Sequence, residues 1–128
     1  MSKHVLIVDH DPVTRNLMTS LLVDRGVTVD QAAGRSDAEQ LLQANHYDTI
    51  ILDLMLPDGN GFRVLEQISR DFPHRCDHTI VMTSSDSRFV SRLPQDGWCA
   101  VLVKPFSVTE FYRVFDLCGD GIHAAETI

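Results

Sequence analysis

A doubly wound α/β fold, with a five-stranded parallel sheet covered by helices on both faces, is predicted by three features of the sequence. Short apolar runs alternate with segments in which apolar residues recur at helical spacing, and only short turns separate them. The runs are continuously apolar, as expected for strands buried on both faces. The chain has 128 residues, 44% hydrophobic and 23% charged, which suits one domain with a core but not two.

The first strand and helix have clear boundary residues. Residues 5–8 form a continuous apolar run that ends at Asp9. Asp11 is placed to cap the following helix, Pro12 suits its first position and Gly26 ends it. The apolar residues that recur every four positions, and define the stripe expected on this helix, are Val13, Leu17 and Leu21.

The second strand and helix are predicted from the next stretch. Residues 27–33 have the composition of a strand. Residues 36–39 have the spacing of a capping box, with Ser36 as the capping residue and Glu39 three positions later. The residues expected to face inward from this helix are Ala38, Leu41 and Leu42.

The third strand, residues 49–54, is the most apolar of the chain, yet it carries Asp53 near its C-terminal end. A buried strand does not hold a carboxylate without a compensating interaction. Turn-forming residues occupy positions 56–61, and a third helix follows. Its apolar positions at helical spacing are Phe62, Leu65 and Ile68.

The last third of the chain adds two strands, residues 79–82 and 98–103. A fourth helix is expected over residues 88–93, truncated by Pro94. A second capping box, residues 107–110, begins the last helix. Its inward residues are expected to be Phe111, Val114, Phe115 and Cys118.

Composition excludes several classes of function. The net charge of −7 disfavours binding of this domain to DNA or to anionic membranes. No segment approaches the roughly 20 apolar residues of a membrane span. The three cysteines are widely spaced and form no CxxC pair, so we expect neither a disulfide framework nor a zinc ribbon. A reducing cytosol, and hence a cytoplasmic location, fits this pattern.

Polar and charged residues follow the ends of four predicted strands. The carboxyl ends of parallel strands share one edge of the sheet, where ligands bind in folds of this class. We therefore expect these side chains to converge on one rim. They are Asp9, His10 and Asp11 after the first strand, Asp53 in the third, Thr83 and Ser84 after the fourth, and Lys104 after the fifth.

This rim has a chemical interpretation. Two carboxylates about 4 Å apart repel each other by roughly 4 kcal/mol, so the cluster requires either a cation or a shift in protonation. A divalent metal and Lys104 together would neutralise a phosphoryl group, and the hydroxyl of Thr83 or Ser84 would donate to it. Asp53 would then be the nucleophile that forms an acyl phosphate.

The chain resembles the receiver domains of bacterial two-component response regulators over nearly its whole length. The resemblance implies a flavodoxin-like sheet of strand order 2-1-3-4-5, a receiver domain over residues 1–118, and a tail or linker over 119–128. The chain is then either a stand-alone receiver or part of a larger regulator. The matching segments are residues 5–12, 48–61, 80–84 and 104–106.

The same resemblance implies roles for individual residues. Asp53 would accept a phosphoryl group from a histidine kinase or phosphotransfer protein. Mg²⁺ would be held by Asp9, Asp53 and the backbone carbonyl of Met55. Thr83, with Ser84 as the alternative, would move toward the phosphoryl group, and Lys104 would pair with it. The bond between Lys104 and Pro105 corresponds to the cis peptide of the family.

The sequence departs from the family at three positions. His10 stands where a second acidic residue is usual, which leaves three interpretations: a surface residue, a ligand for another divalent ion, or a cation that replaces metal charge. Val101 occupies the position of the usual aromatic switch residue, and Pro94 interrupts the fourth helix. We therefore expect output through reordering of residues 84–97, with partners at the fourth helix, fifth strand and last helix.

Two other functions are compatible with parts of the sequence. A degenerate receiver that is never phosphorylated would act as a docking module. A small phosphatase of the haloacid dehalogenase type would use Asp9 as nucleophile and Asp11 as acid and base, because residues 9–13 match its Asp-x-Asp-x-Val pattern. That alternative leaves Asp53 without a role. On the preferred interpretation the domain is a phosphoryl acceptor and not a turnover enzyme.

Overall fold

The computed structural model describes residues 3–57, 60–84, 93 and 97–119. The helix expected over residues 88–93 lies outside the described residues except for its last position, as do Pro94 and residues 120–128 of the expected tail. The helices are α1 Pro12–Val23, α2 Arg35–Ala44, α3 Asn60–Asp71, a 3₁₀ helix Pro73–His78, and α4 Val108–Gly119. The strands are β1 His4–Val8, β2 Thr28–Ala32, β3 Thr49–Asp53, β4 Thr79–Thr83 and β5 Ala100–Val103.

All four strand pairs are parallel, and the sheet order is β2-β1-β3-β4-β5. The predicted fold class and strand order are therefore confirmed. None of the helices in the described ranges is long and apolar enough to cross a lipid bilayer.

Alternate residues of the strands enter two separate cores. Val5 and Ile7 of β1 pack with α1 and α4 on one face, and Leu6 and Val8 pack with α2 and α3 on the other. This follows from the period of two along a strand, because successive side chains point to opposite faces. The continuous apolar runs of the sequence thus correspond to strands covered on both sides.

The boundaries of α1 are as predicted, but its buried face is not. The carboxylate of Asp11 accepts hydrogen bonds from the first-turn amides, and Gly26 takes a φ of 78° just after the helix. Val13 and Leu17, however, are exposed and Leu21 is only partly buried, whereas Met18 and Leu22 are buried. Two neighbouring apolar stripes with i, i+4 spacing run along this helix. Spacing alone does not decide which one faces the sheet.

The two predicted capping boxes have different outcomes. α2 begins at Arg35, before Ser36, and its capping residue Gly34 provides no side-chain hydrogen bond, so the box at residues 36–39 is wrong. In α4 the amide of Glu110 donates to Ser107 Oγ at 3.1 Å, as the sequence predicts. All four residues predicted to face inward from α4 are buried.

The cysteine spacing, which indicates no disulfide framework, does not reveal the one disulfide present among the described residues. Cys99, just before β5, is bonded to Cys118 in the last turn of α4, and both are buried in the core between sheet and helix. The Cα atoms are 5.8 Å apart, although 19 positions separate the two residues in sequence. Such a pair is brought together only by the packing of α4 on the sheet, which no local spacing rule detects.

Candidate functional site

Four strand ends place the predicted site residues on one edge of the sheet. Asp9 directly follows β1, Asp53 ends β3, Thr83 ends β4 and Lys104 directly follows β5. The strands are neighbours in the sheet, so these residues form a row along its carboxyl edge. A backbone hydrogen bond of 2.8 Å from the Lys104 amide to the Thr83 carbonyl joins the ends of β4 and β5.

Lys104 joins the two carboxylates. Its Nζ donates to Asp9 Oδ2 at 2.7 Å and to Asp53 Oδ2 at 3.1 Å. Both acidic side chains are almost completely buried, whereas the lysine side chain keeps 23% of its surface exposed. A buried carboxylate needs a partner of this kind to remain ionised.

The second oxygen of each carboxylate is bound by a backbone amide two residues further along the chain. Asp11 N donates to Asp9 Oδ1 at 2.9 Å, and Met55 N donates to Asp53 Oδ1 at 2.9 Å. Each loop after β1 and β3 therefore folds back onto its own aspartate. This arrangement fixes the orientation of both carboxyl groups toward Lys104.

The site carries more negative than positive charge. Two carboxylates face one ammonium, and burial raises the pKa of Asp9 despite the opposing hydrogen bonds from Lys104 and the Asp11 amide. The charge of Asp53 raises it further. Burial also acts against the charged form of Lys104, but its contact with Asp9 and the nearby charge of Asp53 raise its pKa overall. Additional positive charge would therefore be stabilising here.

Replacing Asp9 by asparagine is expected to raise the free energy of unfolding at neutral pH without divalent ions, because asparagine avoids burying this charge. In the folded protein the pKa of Asp9 lies above its ordinary value of 3.8. When the pH exceeds the folded pKa, Asp9 is ionised and this destabilises the folded state, which asparagine avoids. Below pH 3.8 the carboxyl is protonated in both the folded and the unfolded state, so the stability advantage of Asp9→Asn disappears. Urea unfolding of wild type and variant in the presence of a chelator, at pH 7 and at pH 3, measures the expected gain and its loss in acid. Asp11→Asn is the matched control, because its bond to the Thr14 hydroxyl lowers the pKa of Asp11. Equal stability of Asp9→Asn and wild type at pH 7 would contradict the charge assignment.

Thr83 supplies the hydroxyl that the sequence predicts at this edge. Its Oγ1 is buried and has no hydrogen-bond partner among the described atoms. A buried hydroxyl without a partner is costly, so this group has an unused donor available for an acceptor that enters the site. Ser84, the alternative, is half-buried and follows directly.

The predicted metal ligands differ in how they are placed. Asp9 and Asp53 present two carboxylates with excess negative charge, a donor set that suits a hard divalent cation such as Mg²⁺, which retains several waters. Met55 follows Asp53 in the site loop, and its side chain is exposed. His10 is exposed and makes no hydrogen bond or ion pair with any described residue. In the described ranges, no three His, Cys, Asp or Glu side chains are grouped to hold a metal.

Gly61 is required by the close approach of α3 to the site. A Cβ at this position would lie 2.2 Å from the carbonyl oxygen of Asp53, so any larger residue would push the helix away. Its amide also donates to the Leu54 carbonyl at 3.1 Å. The glycine thus allows the first turn of α3 to support the strand end that carries Asp53.

Sequence reasoning missed Arg15. Its Nη1 donates to the backbone carbonyl of Asp9 at 2.7 Å, and its Nε donates to Gln31 at 3.1 Å. The guanidinium therefore links α1 to the backbone at the C-terminal end of β1. Its position one turn after the helix cap, on the side facing β1, is the signal that identifies it.

The predicted cis bond between Lys104 and Pro105 is present.

Known proteins share both the sequence pattern and the fold. Residues 5–116 match the family described as the response regulator receiver domain. The transcriptional regulatory protein SrrA of Staphylococcus aureus strain NCTC 8325 is 30% identical over 112 residues, which cover 86% of this chain and 45% of SrrA. The chain spans less than half the length of the curated relatives it matches first.

Two solved structures have the same fold. A receiver domain protein from Methanospirillum hungatei JF-1 has a TM-score of 0.85 at 23% identity, covering 94% of this chain and 95% of that one. The receiver domain of the sensor histidine kinase PA1611 from Pseudomonas aeruginosa PAO1 has a TM-score of 0.80 at 24% identity, covering 94% and 99%. That structure has a magnesium ion in its active-site cleft. The fold and the acidic rim define a receiver domain of two-component systems. This chain belongs to the response regulator receiver family.

Proposed function

We propose that this domain is a phosphorylation-dependent switch in which Asp53 accepts a phosphoryl group from a histidine kinase or phosphotransfer protein. The observation that carries the proposal is the bridge from Lys104 Nζ to Asp9 and Asp53 at 2.7 and 3.1 Å. In the transfer, the bond between phosphorus and the phosphohistidine nitrogen breaks and a bond from phosphorus to an Asp53 carboxylate oxygen forms. The domain is altered by the reaction and is not a turnover enzyme.

Two residues would stabilise the product. Lys104 is already within hydrogen-bond distance of Asp53 Oδ2 and would pair with the phosphoryl oxygens. Thr83, preferred over Ser84, has a buried hydroxyl that bonds to none of the described residues and would donate to one of those oxygens. This hydrogen bond from Thr83 would exist only in the phosphorylated domain. It would therefore shift the conformational equilibrium, because a ligand does so only through contacts that differ between the two states.

Asp9, Asp53 and the backbone carbonyl of Met55 are the proposed ligands of Mg²⁺. When bound, the ion supplies positive charge that offsets the excess carboxylate charge and polarises the transferred group. The raised pKa of Asp9, which burial causes, supports a requirement for such charge. Asp9 therefore has two proposed tasks, to bind the ion and to hold Lys104.

His10→Asp is expected to tighten Mg²⁺ binding by about tenfold, because Mg²⁺ prefers oxygen ligands to imidazole. Isothermal titration calorimetry of wild type and variant measures the change. His46→Asp adds the same charge in the loop between α2 and β3, beyond the end of the strand opposite to Asp53, and is the matched control. If His10→Asp binds Mg²⁺ as weakly as the wild type or more weakly, the prediction is wrong. Asp11 or water would then already supply the Mg²⁺ ligand that position 10 was expected to provide.

Intact mass after treatment with acetyl phosphate and Mg²⁺ tests the proposed function. The expected result is an adduct of one phosphoryl group, which introduces about −1.5 to −2 units of charge. Absence of any adduct, with Mg²⁺ binding confirmed, would favour the alternative of a degenerate receiver that acts as a docking module. His10 in place of the usual acidic residue is the observation that favours this alternative.

The output surface is proposed at β5 and α4, together with the fourth helix expected over residues 88–93. Val101 is completely buried in β5, so it cannot alternate between buried and exposed positions as an aromatic residue would. We propose that the signal reorders residues 84–97, most of which lie outside the described residues. The partner would be an effector domain or a separate protein.

A further inference from the structure

A cavity opens at the opposite edge of the sheet from Asp53. It lies where the end of α2, the start of β3, the end of α3 and the 3₁₀ helix meet, and we call it the basal cavity. Its volume is about 330 Å³, within the range of sites for small molecules. β3 separates it from Asp53 by roughly 15 Å. The residues that define it here are Leu42, His46, Tyr47, Phe72, His74 and Arg75.

The basal cavity combines apolar walls with basic side chains. Leu42 and Tyr47 are buried and Phe72 is half-buried, so an apolar surface forms one side. Arg75 and two histidines form the other, and none of the described lining residues carries a carboxylate. This local composition is unexpected in a chain with a net charge of −7.

No carboxylate of the described residues is in direct contact with the guanidinium of Arg75. Among the described residues, the one hydrogen bond of the Arg75 side chain runs to Nδ1 of His46, which accepts a hydrogen bond only when that nitrogen is unprotonated. Burial lowers the pKa of Arg75, and the only opposing influence is the more distant charge of Asp48.

Asp48 is already engaged elsewhere. It accepts from the His4 amide at 2.8 Å and lies 3.6 Å from Nε2 of His46. A half-buried guanidinium presents five donors in a planar fork that matches a carboxylate. Arg75 uses one of these donors on the ring of His46, so most of the fork is available to an anion entering from the cavity.

We propose that the basal cavity binds a small organic anion, a carboxylate attached to an apolar ring or chain, with the carboxylate on Arg75 and the apolar part against Phe72 and Leu42. The apolar walls distinguish this ligand from inorganic phosphate, which would gain nothing from them. His74 would add a ring N–H donor on the same side. This site does not depend on phosphorylation of Asp53.

Nitrogen-edited NMR titration of the intact chain with benzoate tests the proposal. We expect saturable shifts of the Ala44 and Phe72 amides in the wild type and in Asp53→Asn. Benzamide, which has the same shape but no charge, should bind about tenfold more weakly or not at all, the loss of a charge-assisted pair. Inorganic phosphate should bind more weakly than benzoate.

Arg75→Gln should abolish saturation by benzoate, and Arg75→Lys should restore part of it. Arg70→Gln is the matched control, because Arg70 is exposed, pairs with Asp71 and does not line the basal cavity. Three results would each overturn the proposal. The wild type could bind benzoate and benzamide equally, Arg75→Gln could bind benzoate as tightly as the wild type does, or the shifts could fail to saturate. The comparison of the two probes requires no variant, so it stands even if Arg75→Gln does not fold.

Discussion

Asp53→Asn is expected to abolish uptake of a phosphoryl group from acetyl phosphate completely. The amide of asparagine is not a nucleophile, and the carboxylate is the only group of the site that Lys104 and the Met55 amide orient at the end of β3. Intact mass spectrometry after equal exposure of wild type and variant measures the effect. The fold should be retained, because asparagine keeps the acceptor for the Met55 amide.

Asp58→Asn is the matched control for this loss. It makes the same chemical change five positions further along the chain, in the turn-forming segment 56–61. Full phosphorylation of this variant, together with none in Asp53→Asn, is the expected pattern. Labelling that persists in Asp53→Asn and disappears only in Asp9→Asn would transfer the nucleophile to Asp9, as the phosphatase alternative requires.

Reduction of the disulfide between Cys99 and Cys118 is expected to lower the free energy of unfolding by about 3 kcal/mol. The bond closes a loop of 19 positions, and reduction restores the conformational entropy that this loop lacks in the unfolded chain. Urea unfolding with and without dithiothreitol measures the effect. For a domain of this size the transition temperature should fall by roughly 10 °C.

Variants separate the disulfide from other effects of the reductant. Cys99→Ala should unfold at the lower stability in both conditions, and dithiothreitol should change nothing in it. Cys76→Ala, the matched control, should respond to the reductant as the wild type does. An unchanged midpoint for the wild type in dithiothreitol would show that the disulfide contributes nothing to stability.

The order of strands and helices is well predicted because it depends on local patterns. Four of the five described strands are short, mostly apolar runs bounded by turn residues, and Asp11 with Pro12 marks the start of α1. The buried face of α1 was not predictable in the same way. Val13 and Leu17 are as apolar as Met18, and only the rotation at which α1 docks on the sheet distinguishes them.

The site was predictable in composition but not in geometry. Parallel strands end at the same edge, so Asp9, Asp53, Thr83 and Lys104 had to lie near one another. The sequence does not indicate that Lys104 reaches both carboxylates, or that the Thr83 hydroxyl has no partner in the part of the chain that the structure describes. These features depend on side-chain positions set by the whole sheet, as does the disulfide.

The most direct measurement for the central claim is to locate the phosphoryl group chemically. Borohydride reduces an aspartyl phosphate to homoserine and leaves an unmodified aspartate unchanged, so peptide mass spectrometry after treatment with acetyl phosphate, Mg²⁺ and borohydride identifies the acceptor. Our interpretation predicts homoserine at position 53 and at no other aspartate. Homoserine at position 9, or none at position 53 while the intact mass shows a phosphoryl adduct, would contradict it.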